Sequence, residues 1–206
     1  ASPQAIKMFE QFFHVSYKER YIVSDEKMVL DLGHHKLHFI KAPMVHWPEV
    51  TFTYDETEKV LFSADAFGTF GAIEGSIFAD DVDYADVYGT EGRRYYTNTT
   101  GKYGMNVLMV LKKVAPLDVK IICSLHGPVL RTEKDISYVM ERVKKWASFT
   151  PDYQSVSIFF ASAYGHTDMA AQKLAFLLGQ RGVKHMKLID LCSTPVSDAW
   201  AEVFRR

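Results

Sequence analysis

Short apolar runs separated by polar, turn-forming residues predict β-strands in the first part of the chain. The runs lie at residues 21–23, 28–30, 37–41, 60–65 and 119–125. Asp-Glu and Gly-His-His turns separate the first three runs, which is typical of neighbouring strands in an antiparallel sheet. The last run is largely apolar and a Gly-Pro pair follows it closely, so we expect a buried strand.

Apolar residues at helical spacing predict helices that cover this sheet. Ser2 and Pro3 form a helix start, a capping hydroxyl followed by proline at the first helical position. Two further helices are expected at 91–117 and 133–146, where apolar residues recur every three or four positions. Strands that alternate with covering helices predict a layered α/β domain.

A proline and polar residues at Phe149–Gln154 interrupt this pattern. We therefore predict one domain at 1–150 and a second at 151–206. The second domain is predicted to contain a strand at 155–161, a helix from Thr167 to Gly182, a strand at 184–189 and a helix at 196–204.

Composition and charge exclude several classes of protein. With 206 residues and 48% hydrophobic content, the chain can bury a substantial core. Its net charge of −1 gives no reason to expect nucleic acid or an anionic membrane as a partner. There is no apolar run as long as a membrane span and no signal-peptide pattern at the N-terminus. Cys123 and Cys192 follow or lie in apolar runs, so we expect buried free thiols and a cytoplasmic protein.

Three polar residues stand where predicted strands stop. His46 lies in a Trp-Pro turn, Asp65 ends the run VLFSAD, and His126 follows the run at 119–125. A rigid sheet can aim side chains at its strand ends towards one point. Imidazole and carboxylate together favour iron, manganese or zinc over copper, so the three residues are a candidate metal-ligand set.

Other polar clusters are interpreted more simply. His34, His35 and His38 have no carboxylate at a fixed spacing and are expected to be solvated. The acidic segment at 80–86 lacks the glycine and terminal glutamate of a calcium loop.

The loop SAYGHT, by contrast, lies between a strand and a helix, where free backbone N–H groups and the helix dipole favour an anion. Its candidate phosphate-binding residues are Ser162, Tyr164, Gly165, His166 and Thr167.

The motifs APMVHWPE, LFSADAFG and SLHGP together resemble the metal-binding half of flavodiiron proteins, the A-type flavoproteins that reduce dioxygen or nitric oxide. The stretch SIFFASAYGHTDMAA resembles the first phosphate loop of their flavodoxin domain. The resemblance implies an α/β fold: the C-terminal part of a metallo-β-lactamase-like αββα domain, then the start of a flavodoxin-like doubly wound domain. It also implies that His46 and His126 each ligate iron, that Asp65 bridges two irons, and that the SAYGHT loop binds FMN, although His166 stands where the family commonly has Asn.

The function implied by this resemblance is electron transfer from FMN to a non-haem diiron centre. Rubredoxin or a flavin- or NADH-linked reductase would donate the electrons, and dioxygen would be reduced to water or nitric oxide to nitrous oxide. A head-to-tail homodimer would bring the FMN of one subunit to the irons of the other. No nucleic acid and no membrane would be involved.

Two alternatives stay open. The family has a further ligand cluster, His-x-Glu-x-Asp, and no such pattern occurs in these residues. We therefore expect the sequence to be an internal segment of a longer protein. A zinc-dependent hydrolase of the same fold is the first alternative, and a catalytically incomplete fragment with half of each site is the second.

Overall fold

The computed structural model describes residues 1–151 and 154–205 of the chain. These residues divide into two compact units, 1–148 and 149–206. The predicted boundary segment, Phe149–Gln154, lies partly outside the described residues, because 152 and 153 are not described.

The elements follow one another as helices and strands of ordinary length. The helices are α1 (Pro3–Phe13), α2 (Tyr84–Thr99), α3 (Gly104–Val114), α4 (Glu133–Ala147), α5 (His166–Gln180) and α6 (Val196–Val203). The strands are β1 (Val29–Asp31), β2 (Lys36–Lys41), β3 (Thr51–Asp55), β4 (Val60–Phe62), β5 (Ile121–Cys123), β6 (Ser155–Phe160) and β7 (His185–Asp190). In the described residues, no helix is long and apolar enough to cross a membrane.

The first unit contains a five-stranded sheet in the order β1-β2-β3-β4-β5. The pairs β1–β2, β2–β3 and β3–β4 are antiparallel, whereas β4 and β5 are parallel. Strands β2, β4 and β5 therefore run in the same direction. Their carboxyl ends lie along one edge of the sheet, and this edge positions the candidate site.

The core of this unit lies on one face of the sheet. Phe52, Leu61 and Ile122 are fully buried, one from each of three neighbouring strands. Burial of one such side chain contributes about 1.5–3 kcal/mol to folding. Phe62, the residue after Leu61, faces the other side of the sheet and is 49% exposed, so the two faces differ strongly in burial.

The prediction of a single helix at 91–117 is wrong. The chain forms α2 and α3, joined by a short 3-10 helix at Gly101–Tyr103. A β-carbon on Gly104 would stand 2.5 Å from the carbonyl oxygen of Ala147. The start of α3 thus packs against the end of α4 at a distance that only glycine allows, and this close approach fixes the break.

The predicted strand at 21–23 is also wrong, since the chain there has no strand conformation. Backbone hydrogen bonds tie this segment to the N-terminus: Ala1 donates to the carbonyl of Ile22, and the Ser24 N–H donates to the carbonyl of Ala1. Its polar groups are therefore satisfied by the N-terminus of the chain.

The second unit is a strand–helix–strand–helix repeat. Strands β6 and β7 are parallel, in register from Ser155 opposite His185 to Phe160 opposite Asp190. Helix α5 contacts both strands, as the predicted pattern requires. Cys192, which follows β7, is a free thiol like Cys123, but it is exposed, so the prediction of burial is wrong for this residue.

Candidate metal and phosphate sites

Three loops at one edge of the five-stranded sheet carry the predicted metal ligands. His46 follows β2, Asp65 follows β4, and His126 follows β5. Because these three strands run in the same direction, their loops leave the sheet at the same edge. The topology thus brings together residues that are up to 80 positions apart in sequence.

The carboxylate of Asp65 lies between the two imidazoles. Nε2 of His46 is 3.5 Å from Oδ2 of Asp65, and Nε2 of His126 is 3.2 Å from Oδ1. Two ligands of one metal ion, each about 2.1 Å from it, stand about 3.0–3.5 Å apart. One imidazole at each carboxylate oxygen is the arrangement expected of a carboxylate that bridges two metal ions.

Strained backbone surrounds this cluster. Met44, Ala64 and Phe67 have positive φ angles of 65°, 51° and 68°. Residues other than glycine, asparagine and aspartate rarely adopt this backbone conformation. Such residues cost about 1–3 kcal/mol each and concentrate at functional sites. Hydrogen bonds from neighbouring segments stabilise this strained backbone. For example, the Leu125 N–H donates to the carbonyl of Ala64 at 2.7 Å.

The turn after His126 also depends on a close approach. Gly127 has a φ of 84°, and a β-carbon there would stand 2.6 Å from Oγ1 of Thr69. The loop that carries His126 is therefore packed directly against the loop that follows Asp65. Only glycine allows this approach, so Gly127 helps to fix the separation of the two candidate ligands.

Tyr95 of α2 is part of this site, and the sequence pattern did not single it out. Its ring centroid is 5.5 Å from that of His126. Its hydroxyl is buried and has no hydrogen-bond partner in the structure. Burial, reinforced by the negative charge of Asp65, raises the pKa of Tyr95 far above its usual range. The hydroxyl therefore keeps its proton at any physiological pH and faces the site as an available donor.

The described residues do not complete a metal site. In residues 1–151 and 154–205, no group of three or more histidine, cysteine, aspartate or glutamate side chains has an arrangement that could hold a metal ion. The reason is visible in the geometry: each oxygen of Asp65 has only one imidazole beside it. A stable site generally takes three or four protein ligands per metal, and these three described side chains do not by themselves make up such a set.

The three histidines expected to be solvated are exposed or half-exposed, and each also contacts a carboxylate. His35 Nδ1 is 2.7 Å from Asp55 Oδ2, His38 Nε2 is 2.6 Å from Glu56 Oε2, and His34 Nε2 is 3.3 Å from Glu58 Oε1. These partners lie on or just after β3, the strand that pairs with β2. Sequence spacing could not show them because strand pairing, not a local motif, brings them together.

The predicted phosphate-binding residues occupy the loop between β6 and α5 and the first turn of α5. They are Ser162, Tyr164, Gly165, His166 and Thr167. Gly165 is the N-cap, with a φ of 86° that favours glycine. The hydroxyl oxygen of Ser162 is buried and has no hydrogen-bond partner among the residues that the structure describes, so a donor is available beside the free N–H groups of the helix start. Asp168 in the same turn adds a negative charge that a phosphate would have to tolerate.

The mixed sheet, its helices and the His–Asp–His cluster at one edge define the first unit as a β-lactamase-like α/β domain. A family model described as ODP family beta lactamase matches residues 1–127. The chain therefore belongs to the ODP family of β-lactamase-like proteins.

Relatives in other organisms match most of this chain. It is 31% identical over 191 residues to putative diflavin flavoprotein A 2 of Synechocystis sp., a match that covers 92% of this chain and 32% of that protein. It is 30% identical over 187 residues to the anaerobic nitric oxide reductase flavorubredoxin of Klebsiella pneumoniae, covering 85% of this chain and 36% of that protein.

Solved structures match over nearly the whole chain. Rubredoxin oxygen:oxidoreductase from Desulfovibrio gigas superposes with a TM-score of 0.89 at 25% identity, covering 98% of this chain and 50% of that one. The flavodiiron protein of Giardia intestinalis superposes with a TM-score of 0.86 at 24% identity, over 97% of this chain and 48% of that one. The predicted fold class and the resemblance to flavodiiron proteins are confirmed. The chain spans 31–45% of the length of four curated relatives that it matches.

Proposed function

We propose that this chain contributes one side of a diiron centre and the phosphate-binding part of an FMN site to an oxidoreductase that reduces dioxygen to water or nitric oxide to nitrous oxide. The observation that carries the proposal is the placement of His46 and His126 at opposite oxygens of Asp65. In this proposal each imidazole ligates one iron, and Asp65 bridges the two.

The residues of the chain hold and orient the groups that react. Asp65 would hold both irons, because its two oxygens face different imidazoles. The strained turns around Asp65 and His46 limit the movement of both side chains, which favours a preorganised site. The bound irons supply the place where a gas molecule accepts electrons, and bound FMN supplies the electrons.

The second unit is proposed to bind the phosphate of FMN. Ser162, Tyr164, Gly165, His166 and Thr167 supply hydroxyl groups, an imidazole and the backbone N–H groups at the start of α5. Tyr164 is 91% exposed and has a free ring surface beside this loop. Rubredoxin or a flavin- or NADH-linked reductase is the proposed electron donor, and a head-to-tail homodimer is the proposed assembly. The rubredoxin donor draws on the names of two relatives, a flavorubredoxin and a rubredoxin oxygen:oxidoreductase, whereas the reductase and the homodimer draw only on the resemblance of the sequence motifs to flavodiiron proteins.

The test is to purify the intact protein that contains this chain and to measure iron, zinc and FMN per chain, together with consumption of dioxygen and of nitric oxide. We expect two irons and one FMN. Asp65→Asn should lose most of the iron and the gas-reducing activity, because an amide cannot bridge two cations as a carboxylate does. FMN content should not change.

Asp118→Asn is the matched control, since Asp118 is an exposed aspartate that contacts Lys120 at 3.0 Å, away from the site. It should keep iron, FMN and activity. Zinc without flavin in the wild-type protein would favour the hydrolase alternative. Wild-type protein with neither cofactor would favour the incomplete fragment, and full iron content in Asp65→Asn would contradict the role of Asp65.

A further inference from the structure

A groove of about 570 Å³ lies between helices α3 and α4 of the first unit. One side of each helix lines it, together with the turn that leads from α3 towards β5. The residues proposed to hold iron and FMN are not among its described lining residues. The groove therefore has no part in the function proposed above.

Helix α3 has two apolar sides. Val107 and Val110 lie on the side that is buried in the core. Leu108 and Leu111 are the residues next to them, and they line the groove and are only half-buried. Core packing therefore uses one apolar side of this helix and leaves the other accessible.

Helix α4 repeats this arrangement. Val139 and Val143 lie one turn apart and are buried, whereas Ile136 and Met140 lie one turn apart, line the groove and are half-buried. A helix that only covers a core needs one apolar stripe. The second stripe on each helix together forms an apolar floor that is available for a further contact.

Charged side chains are the only polar ones among the described residues that line the groove. They are Lys112 of α3 and Glu141 and Lys144 of α4. Glu141 is paired with Lys145 at 2.9 Å, which offsets its charge. Within the described residues, neither Lys112 nor Lys144 forms an ion pair, and both are exposed. The groove thus combines an apolar floor with two available positive charges on opposite helices.

From this arrangement we propose that the groove binds an amphiphile with one anionic head group and one unbranched alkyl chain, such as a medium-chain carboxylate. Lys112 and Lys144 attract the head group. Leu108, Leu111 and Met140 contact the alkyl chain. This site is separate from the candidate metal and phosphate sites, and the proposal does not depend on their function.

The chemistry of the lining favours this class of ligand. Most small-molecule sites fix the orientation of a polar ligand with hydroxyl, amide or aromatic side chains, and none of these occurs among the described lining residues. An alkyl chain needs only apolar contact, which flexible methionine adapts to well. A carboxylate needs only a positively charged donor, which either lysine supplies.

The dimensions fit an alkyl chain of about ten carbons. Ile136 and Lys144 are the first and last residues of α4 in the groove, and the helical rise places them about 12 Å apart. An extended chain of single bonds advances about 1.1–1.2 Å per bond, judged from the length of an extended polypeptide. About ten bonds therefore span the groove. Its volume also lies in the range of about 300–1,000 Å³ that is usual for small-molecule sites.

The test is isothermal titration of the intact protein that contains this chain with decanoate, decan-1-ol and decyltrimethylammonium, which share one alkyl chain and differ in charge. We expect saturable binding of one decanoate per chain. Decanol should bind about two- to twentyfold more weakly, because each exposed ion pair adds a factor of up to about five. The cationic probe should bind more weakly still. Octanoate should lose about two- to fourfold in affinity for each methylene group removed.

Two charge variants test the role of the lysines. Lys112→Gln combined with Lys144→Gln should reduce the affinity for decanoate to that for decanol and leave the affinity for decanol unchanged. Lys27→Gln combined with Lys134→Gln is the matched control, because Lys27 and Lys134 are exposed lysines outside the described lining. The control removes the same net charge and should leave both affinities unchanged.

Two methionine variants test the apolar floor. Met140→Ser should weaken decanoate and decanol alike, by about four- to tenfold, because half of the burial free energy of a methionine is lost. Met109→Ser is the control, since Met109 of α3 is 50% exposed and is not among the described lining residues. Equal losses in the two variants would indicate non-specific binding and overturn the proposal. Absence of saturable decanoate binding, or equal affinity for decanoate and decanol, would overturn it as well.

Discussion

At the scale of single residues, the candidate site is organised around Asp65. Its two oxygens face two imidazoles at 3.5 and 3.2 Å, distances longer than the 2.7 Å between His35 and Asp55. Both distances are compatible with two ligands of one metal ion, which stand about 3.0–3.5 Å apart. The strained turns at Ala64 and Phe67 help to keep this spacing.

His35 and Asp55 provide a prediction about acid stability. Burial raises the pKa of Asp55, but hydrogen bonds from the backbone N–H of Thr57 and from His35 outweigh this effect, so the pKa of Asp55 lies below its usual value. A carboxyl group whose pKa is lower in the folded state than in the unfolded state stabilises the fold at pH values above the unfolded-state pKa. This stabilisation is lost as the pH falls through the folded-state pKa. His35→Leu should therefore lower the urea midpoint at pH 7 and make stability depend less steeply on pH below about 4.

His34→Leu is the control for this prediction. His34 contacts Glu58 at 3.3 Å, and both side chains are largely exposed. Exposed ion pairs contribute little, so this variant should keep the wild-type pH profile. Equal losses in the two variants would show that the buried carboxylate of Asp55 does not depend on His35.

At the scale of elements, α2 combines two glycines that have different roles. Gly92→Ala should raise the free energy of unfolding by about 0.5–1 kcal/mol, because alanine is the better helix former and its methyl group meets no close atom. Gly89→Ala should lower the free energy of unfolding instead, since its methyl group would stand 2.8 Å from the Tyr138 hydroxyl. Urea denaturation with an unchanged slope is the measurement. Two variants with the same sign would contradict the assignment.

The ends of elements could be predicted where the sequence contains strong local signals. Ser2 and Pro3 start α1, and the Ser2 hydroxyl accepts a hydrogen bond from the Ala5 N–H. Turn residues near strands placed His46, Asp65 and His126 in loops. The break between α2 and α3 could not be predicted, because it depends on Gly104 meeting α4, a contact between residues more than 40 positions apart.

The part of the candidate site that sequence reasoning missed is fixed by packing. Tyr95 lies within α2, where helical periodicity gives no reason to prefer it over its neighbours. Its importance appears only when α2 lies beside the Asp65 loop. Whether His46, Asp65 and His126 bind metal, and whether the SAYGHT loop binds FMN, stays a prediction until cofactor content is measured.

At the scale of the whole molecule, exposed apolar surface on the second unit predicts self-association of this chain expressed alone. Its described sheet has only the strands β6 and β7, and two-stranded sheets are marginal on their own. Phe176 and Trp200 are exposed on its helices. The apparent molar mass from light scattering should therefore increase with concentration, and Phe176→Ser should reduce this increase.

Phe12→Ser is the control, because Phe12 is an exposed aromatic residue of α1 in the first unit. It should leave the association of the second unit unchanged. A monomeric chain with one cooperative unfolding transition would contradict the prediction.

The parallel pairing of β4 and β5 has a consequence for the order of folding. About 58 residues, including α2 and α3, connect the end of β4 to the start of β5, and such long closures are entropically costly and slow. We expect the hairpins β1–β2–β3–β4 to form earlier, with the pairing of β5 among the last steps. Asp65 and His126 can meet only after that step. A nascent or misfolded chain would then lack this pair of candidate ligands, so under the proposed function only a chain that has finished folding could bind iron tightly.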